Sequence, residues 1–216
     1  MRRYLSSAKD PWSSLTHMMG AVGFLLGTVV LILWGHISQA SAGIVASAAI
    51  FGLSLVALYT ASAVYHYITA TPKITKVLRK LDHSMIYVLI AGSYTPVLVC
   101  YYPPSDRIWM LAAIWIIALC GIGVKLFWFE APRWLYTGFY LMMGWFVLLN
   151  LSPLANLPMG ALVLLAGGGI AYTVGGIIYG LKRHVISSAF GFHELFHLFV
   201  LLGSLMHYFM VLVYIL

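Results

Sequence analysis

Residues 198–216, LFVLLGSLMHYFMVLVYIL, contain no Asp, Glu, Lys or Arg. A helical run of about 20 apolar residues crosses a hydrocarbon core of ~30 Å. Directly before it stands Gly191-Phe192-His193-Glu194-Leu195-Phe196-His197. Two histidines four apart on a helix lie one turn above each other, so both imidazoles reach one point in space. A divalent transition ion such as zinc takes neutral imidazoles in that arrangement, with further ligands supplied from elsewhere. Ionisable side chains that open a membrane span are costly and are usually kept for function.

The same reading extends back along the chain. Seven apolar runs are long enough to span: Ser13–Trp34, Gly43–Ile68, His83–Tyr101, Ile108–Phe127, Trp134–Leu151, Met159–Gly180 and Phe192–Leu216. Lipid leaves backbone polar groups unsatisfied, so spans of this length must be helices, and they are far too long for barrel strands. Composition agrees: 62% of residues are hydrophobic and 8% charged, against about 25% charged in soluble domains. The fold class is an all-α integral membrane protein, one seven-transmembrane bundle over residues 1–216. Short connections join the runs, with no repeat or low-complexity stretch. The charged start precedes an apolar run too long for a signal-peptide core, so no cleavable signal is expected.

Eleven of the twelve basic residues fall on one side of this arrangement. They are Arg2, Arg3 and Lys9 before the first span, then Lys73, Lys76, Arg79 and Lys80 in the second loop. Lys125 and Arg133 follow in the fourth loop, and Lys182 and Arg183 in the sixth; only Arg107 lies opposite. The positive-inside rule then puts the amino terminus in the cytoplasm and Leu216 at the far face of the cytoplasmic (inner or plasma) membrane. This bias explains the formal net charge of +7, and no nucleic-acid partner is expected. Cys100 and Cys120 sit in apolar runs and read as buried thiols. Gly23-x3-Gly27 and Gly176-x3-Gly180 read as packing seams, and Pro96 as a kink in the third span.

Topology collects the polar residues. Ser62 and His66 end the second span, Asp82 and His83 open the third, His193 and His197 open the seventh, and Asp10, Ser13 and His17 open the first. All four groups lie at one depth, just below the inner interface. Asp82 also suits a helix N-cap, and Ser62 could bond back to its own helix. His83, adjacent to Asp82, points about 100° away from it and is left outside the site. His36 reads as an outer-loop histidine, and His207 lies about 15 Å further along the last helix.

Together Ser62-x3-His66, Asp82 with Ser84, and His193-x3-His197 resemble the three signature motifs of the progestin and AdipoQ receptor family. The bacterial hemolysin III branch matches best, over the whole chain, including Lys80-Leu81-Asp82 and Gly92-Ser93-Tyr94-x-Pro96. The resemblance implies a Zn2+ ion held by His66, His193 and His197, with Asp82 on the zinc-bound water. Its helix 1 motif appears here as Asp10-x2-Ser13-x3-His17, with serine where the family has asparagine. Asp10 and His17 are expected to support the ligands without binding the metal.

Three imidazoles leave a fourth position for water, the pattern of catalytic zinc. Asp82 would orient that water and take its proton, and Ser62 would donate to an oxyanion or orient His66. The carbonyls within reach at the inner leaflet are lipid esters and amides, so membrane lipids are the expected partners. The sharp expectation is a zinc-dependent lipid hydrolase, similar to the alkaline ceramidases. Its equal rival is a non-catalytic sensor or homeostasis receptor in which zinc clamps the helices. His193-Glu194-x2-His197 also matches the metalloprotease pattern His-Glu-x2-His, though no later span follows to supply a third ligand. An ion transporter needs midplane polar groups, which the fourth to sixth spans hardly offer. Residues alone leave the oligomeric state open.

Overall fold

A computed structural model describes residues 2–128, 130–182 and 191–216. Among them the chain forms eight α-helices and no strand: α1 (Arg2–Ser7), α2 (Pro11–Ile37), α3 (Ala42–Tyr67), α4 (Pro72–Tyr101), α5 (Pro104–Phe127), α6 (Arg133–Gly144), α7 (Met159–Leu181) and α8 (Phe192–Tyr214). Six of these, α2 to α5, α7 and α8, are long and apolar enough to cross a membrane. Their outer faces carry Leu25, Leu26, Leu53, Ile116, Leu119 and Val163, all exposed. An apolar surface of that extent suits lipid, not water.

Local chemistry sets the helix starts. Pro11, Pro72 and Pro104 each stand in the first turn, where a missing N–H costs nothing. The Ser41 side chain caps α3 by accepting from the Ile44 N–H at 3.4 Å. α4 begins well before the expected third span, so Lys73, Lys76, Arg79 and Lys80 are helical rather than loop residues. Ile74, Val77, Leu78 and Leu81 recur at helical spacing within that charged run, which lets the helix project past the apolar core. α4 continues through Pro96, and Thr95 Oγ1 donates to the Ala91 carbonyl at 2.9 Å in that turn. Arg183, expected in the sixth loop, lies outside the described residues.

The fifth expected span differs from the others. Its α-helix stops at Gly144 after 12 residues, about 18 Å, and continues as two 3-10 turns, Phe146–Leu149 and Ser152–Asn156. Tyr94 of α4 and Tyr102, the cap just past its end, hold the broken segment. The Tyr94 hydroxyl donates to the Gly144 carbonyl at 2.7 Å and accepts from the Val147 N–H at 3.0 Å. Tyr102 donates to the Asn150 carbonyl at 2.7 Å, and Asn150 Nδ2 donates to Asp106 at 2.8 Å. Each such bond contributes about 0.5–1.5 kcal/mol net, and leaving the group bare in an apolar setting costs about 1–3 kcal/mol. The segment therefore runs from α6, at the end of the bundle shared with the close of α5, to the opposite end beside the start of α5.

The core lies between α3, α4 and α8, where Phe51, Leu55, Tyr59, Leu98 and Val211 are buried. α2 packs on α3 and α8, α4 on α5, and α7 on both α6 and α8. Close approach uses Gly20 and Gly27 of α2, where an added Cβ would press on Tyr59 and Tyr208. Gly23 faces open space, so the seam has a seven-residue spacing and the expected Gly23-x3-Gly27 pair does not form it. Cys100 is half-buried and Cys120 exposed on the apolar face of α5, so the second thiol is not the buried one expected.

Candidate metal centre

The end of α3 and the start of α8 meet at a histidine trio. His66, His193 and His197 each offer one nitrogen, and the three nitrogens lie within 4.8 Å of one another. Helical spacing brings the His193 and His197 rings together, tilted at 53° with centroids 4.5 Å apart. His66 comes from the last turn of α3, its ring 4.9 Å from His193 and 5.1 Å from His197.

The trio fits zinc on two counts. His66 Nε2 and His193 Nε2 face each other at 3.1 Å, close to the ~3.3 Å between two nitrogens that share one tetrahedral zinc. In addition, His66 Nδ1 lies 2.9 Å from Asp10 Oδ2. A carboxylate on that nitrogen fixes its hydrogen there, which leaves the Nε2 lone pair pointing at the trio. Hydrogen bonding to His66 holds the Asp10 carboxyl below the usual carboxylate range, against the opposing effect of burial, and the Lys9 charge adds to it. The chain before α2 is anchored as well: the Asp10 N–H donates to the His66 carbonyl at 2.9 Å and Lys9 Nζ to the Tyr65 carbonyl at 3.0 Å.

The remaining expected site residues take distinct places. The His17 ring stacks on His197 at 3.6 Å and 11°, with Tyr59 edge-on at 4.9 Å, so it packs behind the trio. Ser13 donates to Glu194 Oε1 at 2.8 Å, and Glu194 Oε2 accepts from the Gly191 N–H at 2.9 Å. Glu194 thus serves as a helix cap and a tie to α2, which leaves the His-Glu-x2-His pattern without its general base. Asp82 lies within α4, so it is no N-cap. It falls outside the metal-holding trio and shares the cavity wall with Ser62.

A cavity of about 270 Å³ joins these groups. Ser62, Asp82, His193 and His197 line one end, and apolar side chains such as Ile86, Leu89, Val97 and Leu165 form its walls. His207 and Tyr172 line it further along. Tyr59 and Tyr172 hydroxyls meet Ser204 Oγ at 2.8 and 2.9 Å, and His207 Nε2 donates to the Leu165 carbonyl at 3.1 Å. Trp145 and Leu148, where α6 breaks, line the cavity and are also exposed outward. His83 was expected outside the site, yet it lines the same cavity, with Nε2 4.0 Å from Asp82 Oδ2. Asp82, His83 and Ser84 are consecutive and all buried, because α4 is enclosed on several faces; the 100° turn between neighbours does not take His83 out.

Residues 5–208 match the family described as Haemolysin-III related. The chain belongs to that family. It is 36% identical to "Hemolysin-3" of Bacillus cereus over 94% of this chain and 90% of that protein. It is 37% identical to the "Hemolysin-3 homolog" of Bacillus subtilis (strain 168), over 94% and 92% respectively. The human "Monocyte to macrophage differentiation factor" is 28% identical over 74% of this chain and 66% of its own length. Haemolysin-III-related membership accords with the progestin and AdipoQ receptor resemblance, and the trio occupies the motif positions on which that resemblance rests.

Purified protein is expected to carry about one zinc per chain, with His66→Ala, His193→Ala and His197→Ala each lowering occupancy sharply. His36→Ala is the matched control. Elemental analysis checks this, and full zinc in a His193→Ala, His197→Ala double variant would remove the site.

Proposed function

We propose that this multi-pass membrane protein binds Zn2+ through His66, His193 and His197 and hydrolyses an amide or ester of a membrane lipid at the inner leaflet. The observation that carries the reading is that His193 and His197 of the trio line the polar end of an apolar cavity that Asp82 and Ser62 share. Zinc held by three neutral imidazoles would supply an acidified water and a Lewis acid for the lipid carbonyl.

The chain's own groups divide the remaining work. Asp82 takes a proton from the attacking water and passes it to the departing amine or alkoxide. Ser62, on the same cavity wall, would keep that carboxylate aimed into the cavity. Asp10 holds His66 in the ligating tautomer, and His17 packs His197 in place. The apolar walls exclude water and receive the acyl chain, which reaches them from the bilayer past Trp145 and Leu148.

A second reading has its own support. The trio bridges α3 to α8, and Asp10 ties the entry of α2 to the same point. That geometry also suits a structural zinc in a sensor or homeostasis receptor. Asp82→Asn separates the two readings, because it keeps size and hydrogen bonding but cannot act as a base. For a hydrolase, the variant is expected to keep its zinc and melting temperature and to lose about 10²–10⁴-fold in fatty-acid release. Unchanged lipid turnover in cells would favour the clamp, and loss of zinc would make Asp82 a ligand.

We further infer seven crossings, the broken α6 segment included, in the cytoplasmic membrane. The basic end, with Lys76, Arg79, Lys80, Lys125 and Arg133, faces the cytoplasm. A reporter fused after Leu216 should be active on the extracytoplasmic side and one inserted near Lys76 on the cytoplasmic side. A cytoplasmic carboxyl terminus would move the trio to the other leaflet.

A further inference from the structure

Partway along the cavity stands a second polar cluster that neither the metal nor the hydrolytic reading uses. Ser204 and His207 of α8 follow His197 by seven and ten residues, about 10 and 15 Å further along the helix. Tyr172 of α7 meets them there, its ring 5.4 Å from that of His207 and inclined at 73°. Tyr172 and His207 both line the cavity, while Ser204 and Tyr59 are fully buried. The two helices are notched to hold the pair. An added Cβ on Gly203 of α8 would strike the Tyr172 ring, and one on Gly168 of α7 would strike the His207 ring. Polar groups this far inside a span are costly and are usually kept for function.

Counting hydrogens shows what the cluster offers. The Tyr59 hydroxyl donates to Ser204 Oγ at 2.8 Å, which uses the Tyr59 hydrogen. Ser204 Oγ lies 2.9 Å from the Tyr172 oxygen and has no other acceptor among the described residues. A buried hydroxyl hydrogen is not left bare with an acceptor that close, so Ser204 donates to Tyr172. Three hydroxyls then share two bonds, and the Tyr172 hydrogen is left over. His207 supplies the complement. Its Nε2 donates to the Leu165 carbonyl at 3.1 Å, which makes Nδ1 of the neutral ring an acceptor. That nitrogen has no hydrogen-bond partner among the described residues. One unused donor and one unused acceptor thus stand on neighbouring rings of the cavity wall.

We propose that Tyr172 and His207 form a subsite for a hydroxyl carried partway along the acyl chain of the lipid. The chain hydroxyl accepts from Tyr172 and donates to His207 Nδ1. An unsubstituted chain would leave both groups bare. Among the described residues no Lys or Arg lines the cavity, so an anionic group would be buried there without a countercharge. An extended chain advances ~1.25 Å per C–C bond of about 1.5 Å, so a carbonyl at the trio puts roughly carbons 9 to 13 beside the cluster. This assignment rests on the reading that the cavity receives a lipid chain, and it narrows the substrate class to lipids with a mid-chain hydroxyl.

The test is equilibrium binding of octadecanoate, 10-hydroxyoctadecanoate and 5-hydroxyoctadecanoate to the zinc-loaded full chain in an uncharged detergent. The two hydroxy acids have the same composition, so a difference between them reports where the protein meets the hydroxyl. The 10-hydroxy acid is expected to bind at least about fivefold more tightly than either of the others, the scale of two net hydrogen bonds. In Tyr172→Phe that preference should fall to within about twofold, with zinc content and octadecanoate affinity unchanged. His207→Leu, which removes the acceptor, should reduce it as well. A preference that survives either substitution, or is missing from the wild-type chain because water answers both groups, overturns the subsite. Binding of none of the three acids would instead strike the lipid-cavity reading beneath it, which separates the two failures.

Discussion

A polar group inside hydrocarbon must find a partner, and that constraint organises this bundle. At the basic end, the termini of α3 and α8 place three imidazoles together, and each neighbouring polar group serves to hold them. Asp10 takes the outer nitrogen of His66. Glu194 is spent on Ser13 and on the first N–H of its own helix. His17 fills the space behind His197. These ties draw four chain segments that are distant in sequence to one depth, and three nitrogens converge there for a metal to use. At the far end the same constraint operates without a site, where Tyr94 and Tyr102, at and just past the end of α4, satisfy the backbone that α6 exposes on breaking.

Much of this was legible in the sequence because hydropathy and helical spacing are local properties. The six long helices follow their apolar runs within a few residues at most ends, and the His193–His197 spacing translated directly into neighbouring rings. The step from His66 to the same point needed topology, since only the alternation of spans brings the end of α3 beside the start of α8. Asp10 and His17 entered as supporting residues from their depth at the start of the first span, and the structure gives each a specific contact.

What escaped the sequence depends on long-range packing. Nothing within Trp134–Leu151 announces a break at Gly144; the hydroxyls that make it tolerable come from Tyr94 and Tyr102, some fifty residues away. His83 was excluded by a rule that holds when a helix has one buried face, whereas α4 buries Asp82, His83 and Ser84 in succession. The burial of Lys125 against the Tyr136 ring was equally hidden, because a charge count assigns a side of the membrane but not a direction. Lys73 to Lys80 looked like loop because their charge outweighed the apolar spacing of Ile74, Val77, Leu78 and Leu81.

Haemolysin-III-related membership, the cavity and the trio together make the metal the pivot of the account, since both hydrolase and clamp require it. X-ray absorption at the zinc edge of the purified protein reads that coordination directly. The account predicts three nitrogen scatterers at about 2.0–2.1 Å with imidazole multiple scattering, and one oxygen completing a four-coordinate shell. A shell with sulfur, with fewer than three imidazoles, or with a carboxylate replacing one of them would contradict it.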